Sequence, residues 1–186
     1  MCVITTDRRK GIHFLIEAYK ELKTDKKLVI AGATSDTDGY VKMLKEMAGD
    51  DPNIIFTGFV SGKLLEEIYS NAYVYVLPSK LEGMPLSLLE AMSYGNCVIG
   101  SDIAEIADVV EDKAILFKKA NVEDLKEKLQ MVCDDVELVE KYKNEASGYI
   151  CGRYNWEDVV NRTVEVYRGK KSCKEKLVEN SSVASI

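Results

Sequence analysis

The sequence predicts an α/β fold, a parallel sheet of about six strands with flanking helices, followed by a helical carboxyl-terminal segment. Two observations carry this. Short apolar runs alternate with longer segments whose apolar residues recur near every 3.6 positions, the pattern of strands joined by crossover helices. After the sixth such run only helical periodicity remains, so the sheet ends there.

Strands are expected at residues 2–6, 27–31, 53–57, 73–77, 97–100 and 114–117. Ile12, Leu15, Ile16, Tyr19 and Leu22 make one face of the first helix. Tyr40, Leu44 and Met47 mark the second, and Leu64, Leu65, Ile68 and Tyr69 the third. The fourth follows the run at 73–77, where Pro85 suits a first helical turn because its missing N–H is no loss there. Three helices close the pattern, at 122–133, about 136–150 and 156–167, the last with Asn155 as its N-cap. Residues 1–168 therefore read as one domain. Residues 169–186 are Lys-rich and then Ser-rich without periodicity, and are expected to form a mobile tail.

Composition narrows the function classes. The chain of 186 residues is 46% hydrophobic and 30% charged, ordinary values for a globular protein. A net charge of −6 argues against a general nucleic-acid binder and leaves any anion site to local clusters. Five scattered cysteines, odd in number and without a C-x-x-C pair, indicate neither a disulfide framework nor a zinc site, and a reducing cytoplasm suits them. No apolar run approaches the roughly 18 residues of a membrane span. The amino terminus reaches Asp7-Arg8-Arg9-Lys10 too soon for a secretory signal, which also fits an excised fragment.

The chemistry concentrates where ligands bind in open parallel sheets, at the carboxyl ends of strands. Glu82 lies in the turn after the fourth strand and Glu90 inside the following helix. Glu90 stands in an otherwise apolar stretch, Leu88-Leu89-Glu90-Ala91-Met92, and a carboxylate buried there needs a partner, for which a hydroxyl-rich ligand would serve. A helix amino terminus offers free N–H groups and partial positive charge, both suited to phosphate. Gly83 lets the backbone approach closely, and the amides of Met84, Leu86 and Ser87 are the natural donors. The plain alternative is an ordinary strand-to-helix connection with a solvated Glu82.

Arg8-Arg9-Lys10 places three cations at the start of the first helix, against its dipole, at up to about 1 kcal/mol each if exposed. An anion would relieve the repulsion, and a solvated, salt-screened turn would tolerate it. The loops at Gly32-Ala33-Thr34-Ser35 and Gly58-Phe59-Val60 are weaker candidates. His13 has no Ser, Cys or carboxylate partner nearby in sequence and reads as structural or solvent-facing. Ser79 lacks a G-x-S-x-G elbow, and the Gly32 loop lacks a Walker lysine and a G-x-G-x-x-G fingerprint, so hydrolase, P-loop and classical NAD readings fall.

Lys10-Gly11, Val29-Ile30-Ala31-Gly32, Ile55-Phe56-Thr57-Gly58-Phe59-Val60 and above all Pro78-Ser79 through Glu82-Gly83 to Glu90-Ala91-Met92 with Gly95 resemble the carboxyl-terminal domain of retaining glycosyltransferases of family 4. The resemblance runs in order across residues 3–167. It implies a GT-B fold, two Rossmann-like domains facing across a cleft, of which the second holds the nucleotide-sugar donor. By this resemblance Glu82 would meet the donor sugar, Glu90 the ribose hydroxyls, and Lys10 the diphosphate. Backbone from Gly83 through Met84, Pro85 and Leu86 to Ser87 would support sugar and phosphate, with the base near Gly58, Phe59 and Val60. Glu82 and Lys10 would be the catalytic pair, with no metal and no cofactor. The last helix, at 156–167, would pack toward an amino-terminal acceptor domain in the same or a separate chain.

Three departures stand out. The family's glycine and arginine before the lysine are replaced by Ile4-Thr5-Thr6, with Arg8 and Arg9 as possible phosphate cations instead. The proline after Gly95 gives way to Asn96-Cys97, and the glycine-rich loop after Asp102 reads Ile103-Ala104-Glu105-Ile106. The resemblance thus implies the donor-binding half of an enzyme that transfers a sugar in polysaccharide or glycoconjugate synthesis, at the cytoplasm or the cytoplasmic face of a membrane. A non-catalytic module that binds a nucleotide or a partner protein is the competing class. A nucleotide-sugar epimerase is disfavoured because the motif spacing follows the transferases.

Overall fold

The computed structural model describes residues 2–4, 8–32 and 38–169, and the tail expectation for 169–186 falls almost wholly outside them. The described chain divides into two units, residues 1–150 and 151 onward. In the first, strands β1 (Cys2–Ile4), β2 (Leu28–Ala31), β3 (Ile54–Gly58), β4 (Val74–Leu77), β5 (Cys97–Ser101) and β6 (Ile115–Phe117) form one sheet in the order β3-β2-β1-β4-β5-β6, with every neighbouring pair parallel. The order reverses direction between β1 and β4. That switch is where an open α/β sheet opens a crevice at its carboxyl edge.

The crossovers are α1 (Ile12–Lys20), α2 (Asp38–Ala48), α3 (Gly62–Ser70), α4 (Leu86–Ser93) and α5 (Ala104–Val110), and α6 (Val122–Asp134) and α7 (Val136–Arg153) follow β6. β4 and β5 are buried along their whole length, as expected for central parallel strands covered on both faces. Ile12, Leu15 and Ile16 of α1, Leu44 of α2, and Leu125 and Leu129 of α6 pack with Leu28, Ile30, Val74, Val76, Cys97 and Ile99 of the sheet. Each such aliphatic side chain contributes about 1.5–3 kcal/mol by leaving water, so this layer fixes where α1 begins. Burial pushes the Cys97 thiol up to about 12, which leaves it an inert core residue.

Tyr75, between Val74 and Val76, faces the other side of β4 and donates to Ser87 Oγ on α4 at 2.8 Å. Gly100 alternates in the same way. A Cβ there would lie 2.8 Å from Ile106 Cγ2, so glycine is what lets α5 seat on β5. α5 occupies a stretch beginning at Ala104 where no helix is expected, because seven residues carry too little periodicity to mark one. In the second unit, α8 (Trp156–Tyr167) starts where expected, and Asn155 Oδ1 accepts from the Glu157 N–H at 2.7 Å.

Candidate functional site

Arg8, Arg9 and Lys10 form one turn of 3₁₀ helix between β1 and α1. Gly11 then takes φ 68° and ψ 23°, and a Cβ on it would meet the Pro78 carbonyl oxygen at 2.1 Å. Only glycine permits both the left-handed backbone and the approach. The Lys80 N–H donates to the Arg9 carbonyl at 2.8 Å, so the basic turn is stitched to the segment leaving β4.

That stitching brings together the two residues expected to do chemistry. Lys10 Nζ lies 2.7 and 2.8 Å from the two oxygens of Glu82, and Ser79 Oγ donates to Glu82 Oε1 at 2.6 Å. The Glu82 side chain is only 5% exposed and that of Lys10 23%. Glu82 is therefore not the solvated turn residue of the plain reading, but a buried carboxylate with a charged partner and a buried hydroxyl. Lys10 is likewise not a free misplaced cation, since the protein supplies its own counter-charge. Arg8 and Arg9 are exposed on the same turn.

α4 begins immediately after this pair. Pro85 stands at its N-cap without a side-chain capping bond, and the Leu86 N–H is consumed by the Met84 carbonyl at 2.8 Å. Leu86 is thus removed from the expected amide donors. The N–H groups of Met84 and Ser87 have no backbone acceptor among the described residues and face the dipole's positive end. Gly83 has open space where a Cβ would go, so no neighbouring protein atom there requires glycine.

Glu90 differs from its expectation. It lies on the exposed side of α4, opposite buried Leu88, Ala91 and Met92, and its partner is a tyrosine: Tyr69 Oη donates to Glu90 Oε2 at 2.9 Å. Gly58, Phe59 and Val60 follow β3, three strand spacings from β4, which places them on the order of 14 Å away. Phe59 is 75% exposed there, and the Gly58 carbonyl accepts from the Gly32 N–H at 2.8 Å. The structure thus joins Lys10, Glu82 and the start of α4 directly, links Glu90 through Tyr69, and leaves the Gly58–Val60 corner as a separate wall.

Spacing alone did not reveal several contributors. Tyr69, Tyr75 and Asn96 hold Glu90 or α4 from other parts of the chain, and Ser79 holds Glu82 from three residues away in the same connection. Lys80 adds a cation: its Nζ sits 4.9 Å from the Phe14 ring centroid, and with Arg8 it helps hold His13 below its ordinary pKa, behind the larger effect of burial. His13 itself is half-buried, with Nδ1 2.8 Å from Tyr40 Oη, in keeping with a structural role. Two surface grooves lie elsewhere, one along α2 and one at the amino ends of β2 and β4, and none of the site residues named above lines either. Among the described residues no group of three or more His, Cys, Asp or Glu is arranged to hold a metal ion, and no helix is long and apolar enough to cross a membrane.

Comparison with known proteins gives a consistent answer. The family described as Glycosyl transferases group 1 matches residues 2–149. Over 164 residues the chain is 30% identical to the uncharacterized glycosyltransferase MJ1607 of Methanocaldococcus jannaschii, covering 86% of this chain and 42% of that protein. It is 27% identical over 172 residues to the O-antigen chain mannosyltransferase B of Escherichia coli, covering 88% and 44% respectively. The chain therefore spans less than half the length of either relative. Among solved structures, the C-terminal domain of a glycosyl transferase group 1 family protein (LpcC) from Francisella tularensis superposes with a TM-score of 0.71 at 26% identity, over 82% of this chain and 85% of that one.

Proposed function

This chain belongs to the group 1 glycosyl transferases, and from that premise we propose that it is the donor-binding, carboxyl-terminal half of a retaining family 4 enzyme that moves a hexosyl group from a nucleoside-diphosphate sugar to an acceptor. The observation that carries the reading is the buried Lys10–Glu82 pair, at 2.7 Å, beside a helix start whose Met84 and Ser87 amides lack backbone acceptors.

In this reading Lys10 and the start of α4 hold the diphosphate. The negative charge that develops on it as the glycosidic bond breaks is met by an ammonium and two amide dipoles already in place. An ammonium has three protons, so Lys10 can keep one on Glu82 while another turns to a phosphate oxygen. Glu82, fixed by Ser79 and Lys10, accepts from the donor sugar hydroxyls, and Glu90 accepts from the ribose. The base lies toward Gly58, Phe59 and Val60, with Arg8 or Arg9 answering for the arginine that Ile4-Thr5-Thr6 lacks. No metal or cofactor enters, because lysine and the helix terminus carry the leaving-group charge. Loss of the lysine would raise the barrier by a few kcal/mol.

Residues 1–168 form this half, and an amino-terminal acceptor domain completes the enzyme in the same or a separate chain. The spans of the relatives support this. Alone the chain binds donor weakly and transfers little, because orienting both substrates supplies much of the rate. Polysaccharide assembly at the cytoplasmic face of a membrane is the setting, a reading supported by the O-antigen relative. The missing arginine favours one alternative, a module that binds nucleotide without catalysis.

Calorimetric titration of UDP and of GDP tests the donor reading. Saturable binding of one of them is expected, weakened at least tenfold by Lys10→Ala and by Glu90→Ala, with circular dichroism unchanged. No heat at millimolar concentrations of either nucleotide would sink it.

A further inference from the structure

Tyr69 closes α3 and is 2% exposed, yet its hydroxyl reaches α4, donating to Glu90 Oε2 at 2.9 Å and lying 3.3 Å from the Ser87 carbonyl oxygen. Its ring is held against two others. Tyr94 stacks on it at 5.3 Å between centroids and 13° between planes, and Tyr75 leans on it at 6.0 Å. The backbone beneath is gripped as well. The side-chain amide of Asn96, buried at 2%, donates to the Tyr69 carbonyl at 3.0 Å and to the Ala91 carbonyl at 2.9 Å, tying the end of α3 to α4.

The contrast between the two partners carries the argument. Tyr69 is immobilised by packing, whereas Glu90 stands on the exposed side of α4 with three side-chain torsions of its own. A fixed phenol that donates its single proton to one carboxylate oxygen selects one rotamer of the glutamate and leaves the other oxygen to accept a second donor. A helix–helix fastening alone would not need that arrangement, because Asn96 already provides one.

We propose that Tyr69 is a positioning residue that presents Glu90 to the ribose hydroxyls of the nucleotide. The proposal rests on the reading of Glu90 as the ribose acceptor. Tyr69 touches no substrate. It acts by holding one oxygen so that the other does not have to be ordered when the nucleotide arrives.

The test separates this proposal from the reading beneath it. Binding of the preferred nucleoside diphosphate is compared with that of its 2′,3′-dideoxy analogue, using the chain as it exists. The wild type is expected to prefer the ribose form by about tenfold, the worth of one charge-assisted hydrogen bond, and Glu90→Ala to abolish the preference. Tyr69→Phe should reduce the preference to within about threefold. Tyr75→Phe deletes an equally buried hydroxyl that serves Ser87 instead, and should leave the preference intact. If Tyr69→Phe melts too low for titration, Tyr94→Leu, which removes the stacked ring but keeps the hydroxyl, should lower the preference in the same way. An undiminished preference in Tyr69→Phe, or an equal fall in Tyr75→Phe, would overturn the proposal while sparing the Glu90 reading. A wild type with no preference would overturn both.

Discussion

Replacing Lys10 by Met, Glu82 by Gln, and both together probes the ion pair at the centre of the candidate site. At 2.7 Å the Coulomb attraction of two unit charges is about 6 kcal/mol for an effective dielectric constant near 20. Desolvation costs several kcal/mol per ion, so the pair as a whole is worth little more than an uncharged isostere. Removing one partner is different. Lys10→Met leaves a carboxylate of 5% exposure with, among the described residues, the Ser79 hydroxyl alone to answer it. Breaking a buried pair in this way costs about 3–5 kcal/mol, and the 23% exposure of the lysine, which lets water approach, brings the expected loss to about 2 kcal/mol. Glu82→Gln keeps an acceptor for Ser79 and leaves a lysine that can reach water, for a loss of about 1 kcal/mol. The double variant should lose about 1 kcal/mol rather than the additive 3, a coupling near 2 kcal/mol. Urea unfolding followed by circular dichroism reads it, with Lys10→Met also lowering Tm by roughly 4–8 °C. The coupling should survive 1 M salt, because the charges are largely shielded from solvent. Additivity within about 0.5 kcal/mol would refute the reasoning, since the two groups would then not be partners.

Gly11→Ala should destabilise the fold by at least about 2 kcal/mol in urea unfolding and weaken nucleotide binding with it. A Cβ 2.1 Å from the Pro78 carbonyl forces apart the seam that holds Lys10 beside Glu82. Asn96→Leu removes the side-chain donor shared by the Tyr69 and Ala91 carbonyls, which keep the backbone N–H groups of Ala72 and of position 96, and should cost about 1 kcal/mol by the same measurement; a neutral result would mean the side-chain bonds do not form. His13 is held below its ordinary pKa, first by burial and then by Lys80 and Arg8, so the unfolded chain takes up its proton at a higher pH than the folded one. Stability should therefore fall as pH drops below the unfolded value of about 6.5 and flatten once pH passes the depressed folded value. His13→Gln should remove that slope between pH 7 and 5, as read from urea midpoints, and a slope unchanged in the variant would contradict the assignment.

Strand placement was legible because central parallel strands are apolar throughout. Val74–Leu77 and Cys97–Ser101 lie within a residue or so of the expected runs. Helix starts were legible where capping chemistry marked them, as at Asn155, and ends less so: Leu22 continues the apolar face of α1 yet lies past its last turn at Lys20. The motif located the site region but not its internal bonding. Glu82 binds Lys10 across 72 residues of sequence; the family resemblance pairs the two in role, but neither spacing nor composition around them announces the bond. Glu90 stood in an apolar stretch that suggested burial, whereas the helix turns it outward, and its partner Tyr69 reads by spacing as one more core residue. Long-range hydrogen bonds of this kind depend on how α3 and α4 settle on the sheet, which periodicity within one segment does not encode.

A crystal structure of the chain with bound UDP or GDP tests the central claim most directly, that the carboxyl edge of the sheet between β1 and β4 is a nucleoside-diphosphate site. The account predicts phosphate oxygens within hydrogen-bond reach of Lys10 Nζ and of the Met84 and Ser87 amides, with a ribose hydroxyl on Glu90 Oε1. Nucleotide bound at the amino ends of the strands, or at the carboxyl edge with its ribose away from Glu90 and its diphosphate away from Lys10, would contradict it.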